Sequence, residues 1–500
     1  MRQSGILMPV ASLPGKYGIG TFGKESYRFV DMLKEAGQSF WQILPLGPTG
    51  YGDSPYQSFS TFAGNPYFID PEILIEEGLL TAKEADSFDF GAKADTIDYG
   101  KIYNSRFKML KKAFARFDAS KEKGYAAFCK KNGFWLEDYA LYMSVKNSLG
   151  GISFIEWDEP IRKRDKKTLD TYRVKFSKEI EFYKFLQYKF ITQWKALKRY
   201  ANRSGIKIIG DIPIYVAFDS ADTWADPKLF QFDGSGYPTA VAGCPPDGFS
   251  PTGQLWGNPL YDWEYHKKTG YKWWIRRIRH CFELYDVVRV DHFRGFDAYY
   301  AIPYKDKTAE FGKWMKGPGY DLFGTIKRTL GDVDVIAEDL GFLTDSVLKL
   351  VKRTGYPGMK VLQFAFDSRE DSDYLPHNYG PNTVVYTGTH DNDTTVGWFS
   401  DMKAADRRMA MKYLNRSDFS SDKDLTRSFI KLAMGSVSAL CIIPMQDWLA
   451  LGSSARINTP ATLGGNWVWR MKQGAFTKKL AKDIRDITGL YARMPKKGRK

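Results

Sequence analysis

The chain of 500 residues carries 73 Lys and Arg against 58 Asp and Glu, a formal net charge of +15. A hydrophobic fraction of 43% suits a soluble globular protein, and no apolar run approaches the roughly 20 residues of a membrane span. The basic excess sits in Lys-rich stretches such as FKMLKKAFARF (107–117) and the terminal KKGRK, the pattern of a solvated face, so neither a membrane nor a nucleic-acid partner is expected.

GILMPVAS (5–12) reads as a first strand. Its apolar part, Ile6 to Val10, is shorter than a signal peptide's apolar core, which predicts a cytoplasmic protein. SFWQILPLG (39–47) is the second strand. Residues 70–180 then carry helical, Lys-rich patterns and predict an inserted helical subdomain. A helix over 179–205 closes it, with Tyr183, Leu186, Phe190, Trp194, Leu197 and Ala201 at helical spacing and Gly205 as its cap. GIKIIGDIPIYV (205–216) is the third strand, and residues 222–265, rich in Gly, Pro, Asp and Trp, predict a long active-site loop insertion. YDVVRVDHF (285–293), DVDVIAEDLG (332–341), MKVLQFAF (359–366), NTVVYTGTHD (382–391) and ALCIIPMQD (439–447) complete eight strand-like runs. Strands alternating with helices give right-handed βαβ units. Eight of them predict an α/β fold, one (β/α)8 barrel over residues 1–500. Residues 493–500 read as a frayed tail.

Four cysteines show no CxxC and no zinc-like spacing with His, so free thiols and no metal are expected. GKYGIG (15–20) follows the first strand without a Rossmann acidic partner, and no cofactor is expected.

The chemistry lies at strand ends. In YDVVRVDHFRGF (285–296) a valine-rich strand runs into Arg289, Asp291, His292 and Arg294, groups that are costly to bury unless paired. Asp211, Glu338, His390 and Asp391 also end predicted strands, and a barrel gathers such ends on one rim. Two carboxylates about 5–5.5 Å apart are what retaining glycosyl transfer requires. Arg289 shares a strand face with Asp291 and would keep it ionised. Aromatics interleaved with amides, as in LWGNPLYDWEY (255–265), suit sugar rings, which are apolar on one face and hydroxylated at the rim. Singly, each signal has a plain structural reading. Arg-x-Asp can be a structural ion pair, His-Asp a loop hydrogen bond, and Trp256, Trp467, Phe364 and Trp398 can be packing.

Together, SLPGKYGIG (12–20), GDSPYQSFSTFAGNPYFID (52–70), GDIPIYV (210–216), PPDGFSPTGQLWGNPLYDW (245–263), RVDHFRGF (289–296), AEDLG (337–341), GTHDNDTT (388–395) and GNW (465–467) give a likeness along nearly the whole chain. The sequence resembles the amylomaltases, or disproportionating enzymes, 4-α-glucanotransferases related to the α-amylase clan. The resemblance implies Asp291 as nucleophile, Glu338 as general acid/base, and Asp391 as a group that binds sugar hydroxyls and stabilises the transition state. It implies His390 and Asp211 at the same sugar, with His292 another hydroxyl contact. Tyr56, Phe249 and Trp256 would wall the glucan, and Gln254, Asn258 and Asn466 would supply amides. It also implies no separate C-terminal β-domain, and substrates among maltooligosaccharides and starch- or glycogen-derived glucans. Where relatives often carry an aromatic pair after PPD, this chain has Gly248 then Phe249, which predicts a more open lid. The competing readings are an amylase-type α-1,4-glucan hydrolase and a glucan-binding protein that has lost catalysis.

Overall fold

A computed structural model describes residues 2–50, 52–246, 250–341 and 343–495. Eight parallel strands form one sheet: β1 (Gln3–Leu7), β2 (Phe40–Gln42), β3 (Lys207–Ile212), β6 (Val287–Val290), β9 (Val335–Ala337), β10 (Gly358–Val361), β11 (Thr383–Tyr386) and β12 (Leu440–Pro444). They run in chain order around a ring, β1 pairing with both β2 and β12. The last seam is narrow: Ala337 N–H donates to Pro357 O at 2.9 Å, and Met359 N–H donates to the Asp339 carboxylate at 2.7 Å. All eight predicted strands are these staves.

Parallel strands covered on both faces must be apolar throughout, and VVRV of β6 is fully buried with Arg289 inside the apolar run. The amphipathic helices Lys24–Glu35, Lys272–Leu284, Tyr320–Leu330, Asp345–Thr354 and Lys478–Leu490 turn one apolar stripe to the barrel. Between β2 and β3 stand the helices Tyr99–Phe114, Tyr125–Ser148, Lys166–Lys175 and Ser177–Arg203. The last buries Tyr183, Leu186, Phe190, Trp194, Leu197 and Ala201, so its aromatic stripe is core. Gly205 takes φ 82° just beyond it.

The stretch expected as loop contains strands. β4 (Ala240–Cys244) and β5 (Gln254–Pro259) pair antiparallel, and β7 (Ala298–Pro303) and β8 (Lys313–Lys316) extend them to a second sheet, β5-β4-β7-β8. AVAGC and QLWGNP lack the alternation that marks a half-buried strand. Gly243 is needed where the strands meet, since a Cβ there would lie 2.1 Å from Gln254 O.

After Pro444 the described chain holds helices and loops and no further β-domain. The tail reading needs correction at Arg493, which is fully buried. Its guanidinium donates to Met434 O, Gln3 O and Ser436 O, stapling the chain end to the first strand. A lone terminal Arg gives no sequence sign of three carbonyls waiting for it.

Candidate active site

Four barrel strands, β3, β6, β9 and β11, carry or lead into the polar residues Asp211, Asp291, Glu338 and His390–Asp391. Val290 of β6 is paired with Ala337 of β9, so Asp291 and Glu338 are the next residues on adjacent staves. Backbone bonds continue past both ends: Glu338 N–H donates to Val290 O at 3.1 Å, and Phe293 N–H to Glu338 O at 3.0 Å. The chain then turns sharply at His292, whose φ is 52°. That left-handed turn aims its N–H at Glu338 Oε2, 2.7 Å away, while Leu340 N–H donates to Oε1 at 2.8 Å. The acid/base candidate is therefore clamped by the residue following the nucleophile candidate.

The charges are arranged in a chain. Arg289 Nη1 donates to both oxygens of Asp211, at 2.9 and 2.7 Å, and lies 3.0 Å from Asp291 Oδ1. Asp211 is fully buried, and Tyr56 Oη donates to its second oxygen at 3.0 Å. Burial drives the Asp291 carboxyl above the ordinary range, and the Asp211 and Asp391 charges add to this, although Arg289 pulls the other way. The guanidinium thus eases ionisation of Asp291 without setting it in full, because Asp211 already takes much of its charge. Burial also raises Glu338, and the nearby Asp291 charge raises it further, so this carboxyl holds its proton more tightly than an exposed one.

Replacing Arg289 by Met would leave Asp211 buried without its cation, a loss of about 3–5 kcal/mol. Urea denaturation at neutral pH is expected to show that loss. A drop below about 1 kcal/mol would mean the Arg289–Asp211 pair is replaceable by simple packing.

The wall opposite is built on the loop after β11. His390 is buried, stacks on Tyr56 with centroids 5.2 Å apart, and holds Nε2 3.4 Å from Asp391 Oδ2. Trp467, at φ 64°, packs against both rings. Burial lowers the His292 imidazole to about 3, so it is neutral. Its ring meets Trp256 edge-on at 4.8 Å, and its buried Nε2 has no hydrogen-bond partner in the protein.

The amides divide. Gln254 Oε1 accepts from Trp256 Nε1 and holds that ring. Asn258 is buried with both ends engaged, to Val216 O and Gln57, and Asn466 bridges Thr459 and Thr462 within its own loop. Phe249 and Gly248 lie outside the described residues. Trp398 belongs to a side cluster with Phe366 and Phe429, whereas Phe364 is 39% exposed beside Tyr374.

Three residues escaped the sequence reading. Asn458 Nδ2 donates to Asp391 Oδ1 at 2.6 Å, and Arg456 Nη2 to Asp391 O at 2.7 Å. Buried Asp447 accepts from Thr387 and Thr395 at the two ends of the loop that carries His390 and Asp391. RINTP (456–460) carries no periodic or motif signal, and only its place beside GNW could have drawn notice.

The family model described as 4-alpha-glucanotransferase matches residues 8–477. A 4-alpha-glucanotransferase of Clostridium butyricum is 49% identical, covering 97% of this chain and 100% of that one. One of Thermus thermophilus is 47% identical over 99% of both chains. Among solved structures, the amylomaltase from Streptococcus agalactiae in complex with acarbose superposes with a TM-score of 0.96 at 42% identity, covering 99% of this chain and 100% of that one. The amylomaltase from Corynebacterium glutamicum, 20% identical with a TM-score of 0.77, shares the fold. The chain belongs to the 4-alpha-glucanotransferase family.

Proposed function

We propose that this enzyme transfers α-1,4-glucan segments between maltodextrins by a retaining double displacement, with Asp291 as nucleophile and Glu338 as acid/base. Asp291 attacks the anomeric carbon as Glu338 gives its proton to the departing 4-oxygen. The covalent glucosyl-enzyme then meets an acceptor sugar, whose 4-hydroxyl loses its proton to Glu338 as it displaces Asp291. Atoms balance over the two steps, and Glu338 returns protonated. The observation that carries this reading is the pairing of Asp291 and Glu338 on adjacent staves, with both carboxyls raised by burial and by charge.

The supporting roles follow from placement. Asp391, half-exposed and fixed by Asn458, offers the oxygen nearer His390 to sugar hydroxyls and to the developing positive charge. Neutral His292, with its unpartnered Nε2, accepts or donates at a hydroxyl. Tyr56, His390 and Trp256 line the sugar faces. Asp211, Gln254, Asn258 and Asn466 act behind them, as struts for Arg289, Tyr56, Trp256 and the loop around Asn466. The helical insertion over 70–180 and the insertion over 222–265 shape the mouth of one catalytic barrel. Maltooligosaccharides and starch- or glycogen-derived glucans are the substrates, met in the cytoplasm.

Transfer and hydrolysis differ in what resolves the intermediate, and a mouth that seats sugar and sheds water favours transfer. Incubation with maltotriose is expected to give glucose and a ladder of longer maltodextrins. A linear rise in reducing ends without longer products would make the protein a hydrolase.

A further inference from the structure

The chain has 14 tryptophans, and Trp314 alone among them is exposed, at 43%. Large aromatic surface left in water is unusual when a core is close at hand, and here the ring is held in place. Arg294 lays its guanidinium over it, with Cζ 4.0 Å from the centroid, and Tyr300 tilts against it at 5.2 Å. Such a cation–π contact fixes a flat surface and leaves part of it open.

Trp314 is connected to the catalytic rim. Arg294 lies three residues after Asp291, and β8 is bonded back to the same turn through Gly317 N–H to Asp297 O and Gly319 N–H to Phe296 O. Across the second sheet, Trp314 pairs with Tyr300, Tyr300 with Gly243, and Gly243 with Leu255. Leu255, next to the site residue Trp256, is 40% exposed. That row spans about 14 Å, three strand spacings of roughly 4.8 Å. Near its outer end Phe311 is 73% exposed. Lys313 and Lys316 are exposed on β8, a cationic rim ill-suited to the core of a protein interface and harmless to a neutral, hydroxyl-rich ligand.

We infer that Trp314, braced by Arg294, is a platform for the part of a long α-glucan that extends beyond the catalytic cleft, so that it selects for chain length. The inference rests on the glucan reading above. It would place one exposed ring where a sugar's apolar face can stack, across the second sheet from Leu255, the neighbour of Trp256.

Calorimetric titration in the Glu338→Gln background, where turnover is suppressed, tests it. Trp314→Thr keeps a good strand residue, and it is expected to weaken binding of long-chain amylose about tenfold, with maltotriose affinity within about twofold. Trp314→Phe is expected to restore most of the loss. Equal weakening for both sugars, or unchanged amylose affinity in Trp314→Thr, would overturn the platform. A Trp314-dependent mass increase in light scattering would also overturn it, since a second copy would then cover the face. If the unmutated enzyme forms no ladder from maltotriose, the glucan reading itself fails; a ladder with unmoved amylose binding removes the platform alone.

Discussion

Asp291→Asn is expected to lower kcat on maltotriose by on the order of 10⁴-fold or more, because no neighbouring group can take over the attack. The closest carboxylates are already committed. Asp211 is locked to Arg289 and Tyr56, and Asp391 is bound by Asn458. The fold should survive, since the amide keeps the size of the side chain and removes a carboxylate that burial disfavours. An activated donor such as an α-glucosyl fluoride should not rescue it, because the missing part is the nucleophile and not the proton. The same substitution deletes the charge that lifts Glu338, so the Glu338 carboxyl should titrate lower in the variant. Infrared difference spectra of the carboxyl band read that shift directly. An Asp291→Asn enzyme within tenfold of the unmutated rate would remove Asp291 from the mechanism.

Glu338→Gln is expected to cost about 10²–10⁴-fold on maltotriose. Here the activated fluoride should restore the first step, since its leaving group needs no proton. Trapping of the glucosyl-enzyme on that donor, in this variant and not in Asp291→Asn, separates the two roles. The pH profile of kcat/KM should be a narrow bell in the unmutated enzyme. Its acidic limb reports ionisation of Asp291, pushed up to about 6, and its basic limb loss of the Glu338 proton, pushed up to about 7. These midpoints belong to the pair as it titrates together. Glu338→Gln should lose the basic limb.

Stability follows with a definite sign. In the folded protein Glu338 keeps its proton at pH values where the unfolded chain, with the usual 4.5, has already lost it. The unfolded state therefore binds fewer protons, and stability falls as pH rises from about 4.5 through the folded midpoint. Glutamine at 338 abolishes this loss. Its Tm relative to the unmutated protein should rise with pH above about 4.5, on top of a pH-independent loss, because an amide nitrogen cannot accept from the His292 or Leu340 N–H. A Tm difference that does not change with pH would show that the glutamate is not strained by burial.

The sequence determined the barrel. Eight short apolar runs at helical intervals leave few other ways to cover parallel strands on both faces, and each run became a stave. It also marked which side chains reach the rim, because a polar residue that closes a valine-rich strand has nowhere else to go. Asp291, Glu338, Asp211, His390 and Asp391 were legible on those grounds. Their contacts with one another depend on which strands pair. Asp211 looked like a sugar contact, yet it lies fully buried beneath Arg289 because β3 and β6 pair with Asp211 opposite Arg289. Asn258 and Asn466 looked like ligand amides and turn out to spend their bonds on the protein, whereas Asn458, without any local signal, holds Asp391. The second sheet and the exposed Trp314 were hidden for the same reason. The pairing of β4 with β7, which joins the two hairpins into one sheet, brings together residues as distant as Ala240 and Pro303, and neither period nor propensity within a window records who the partner strand will be.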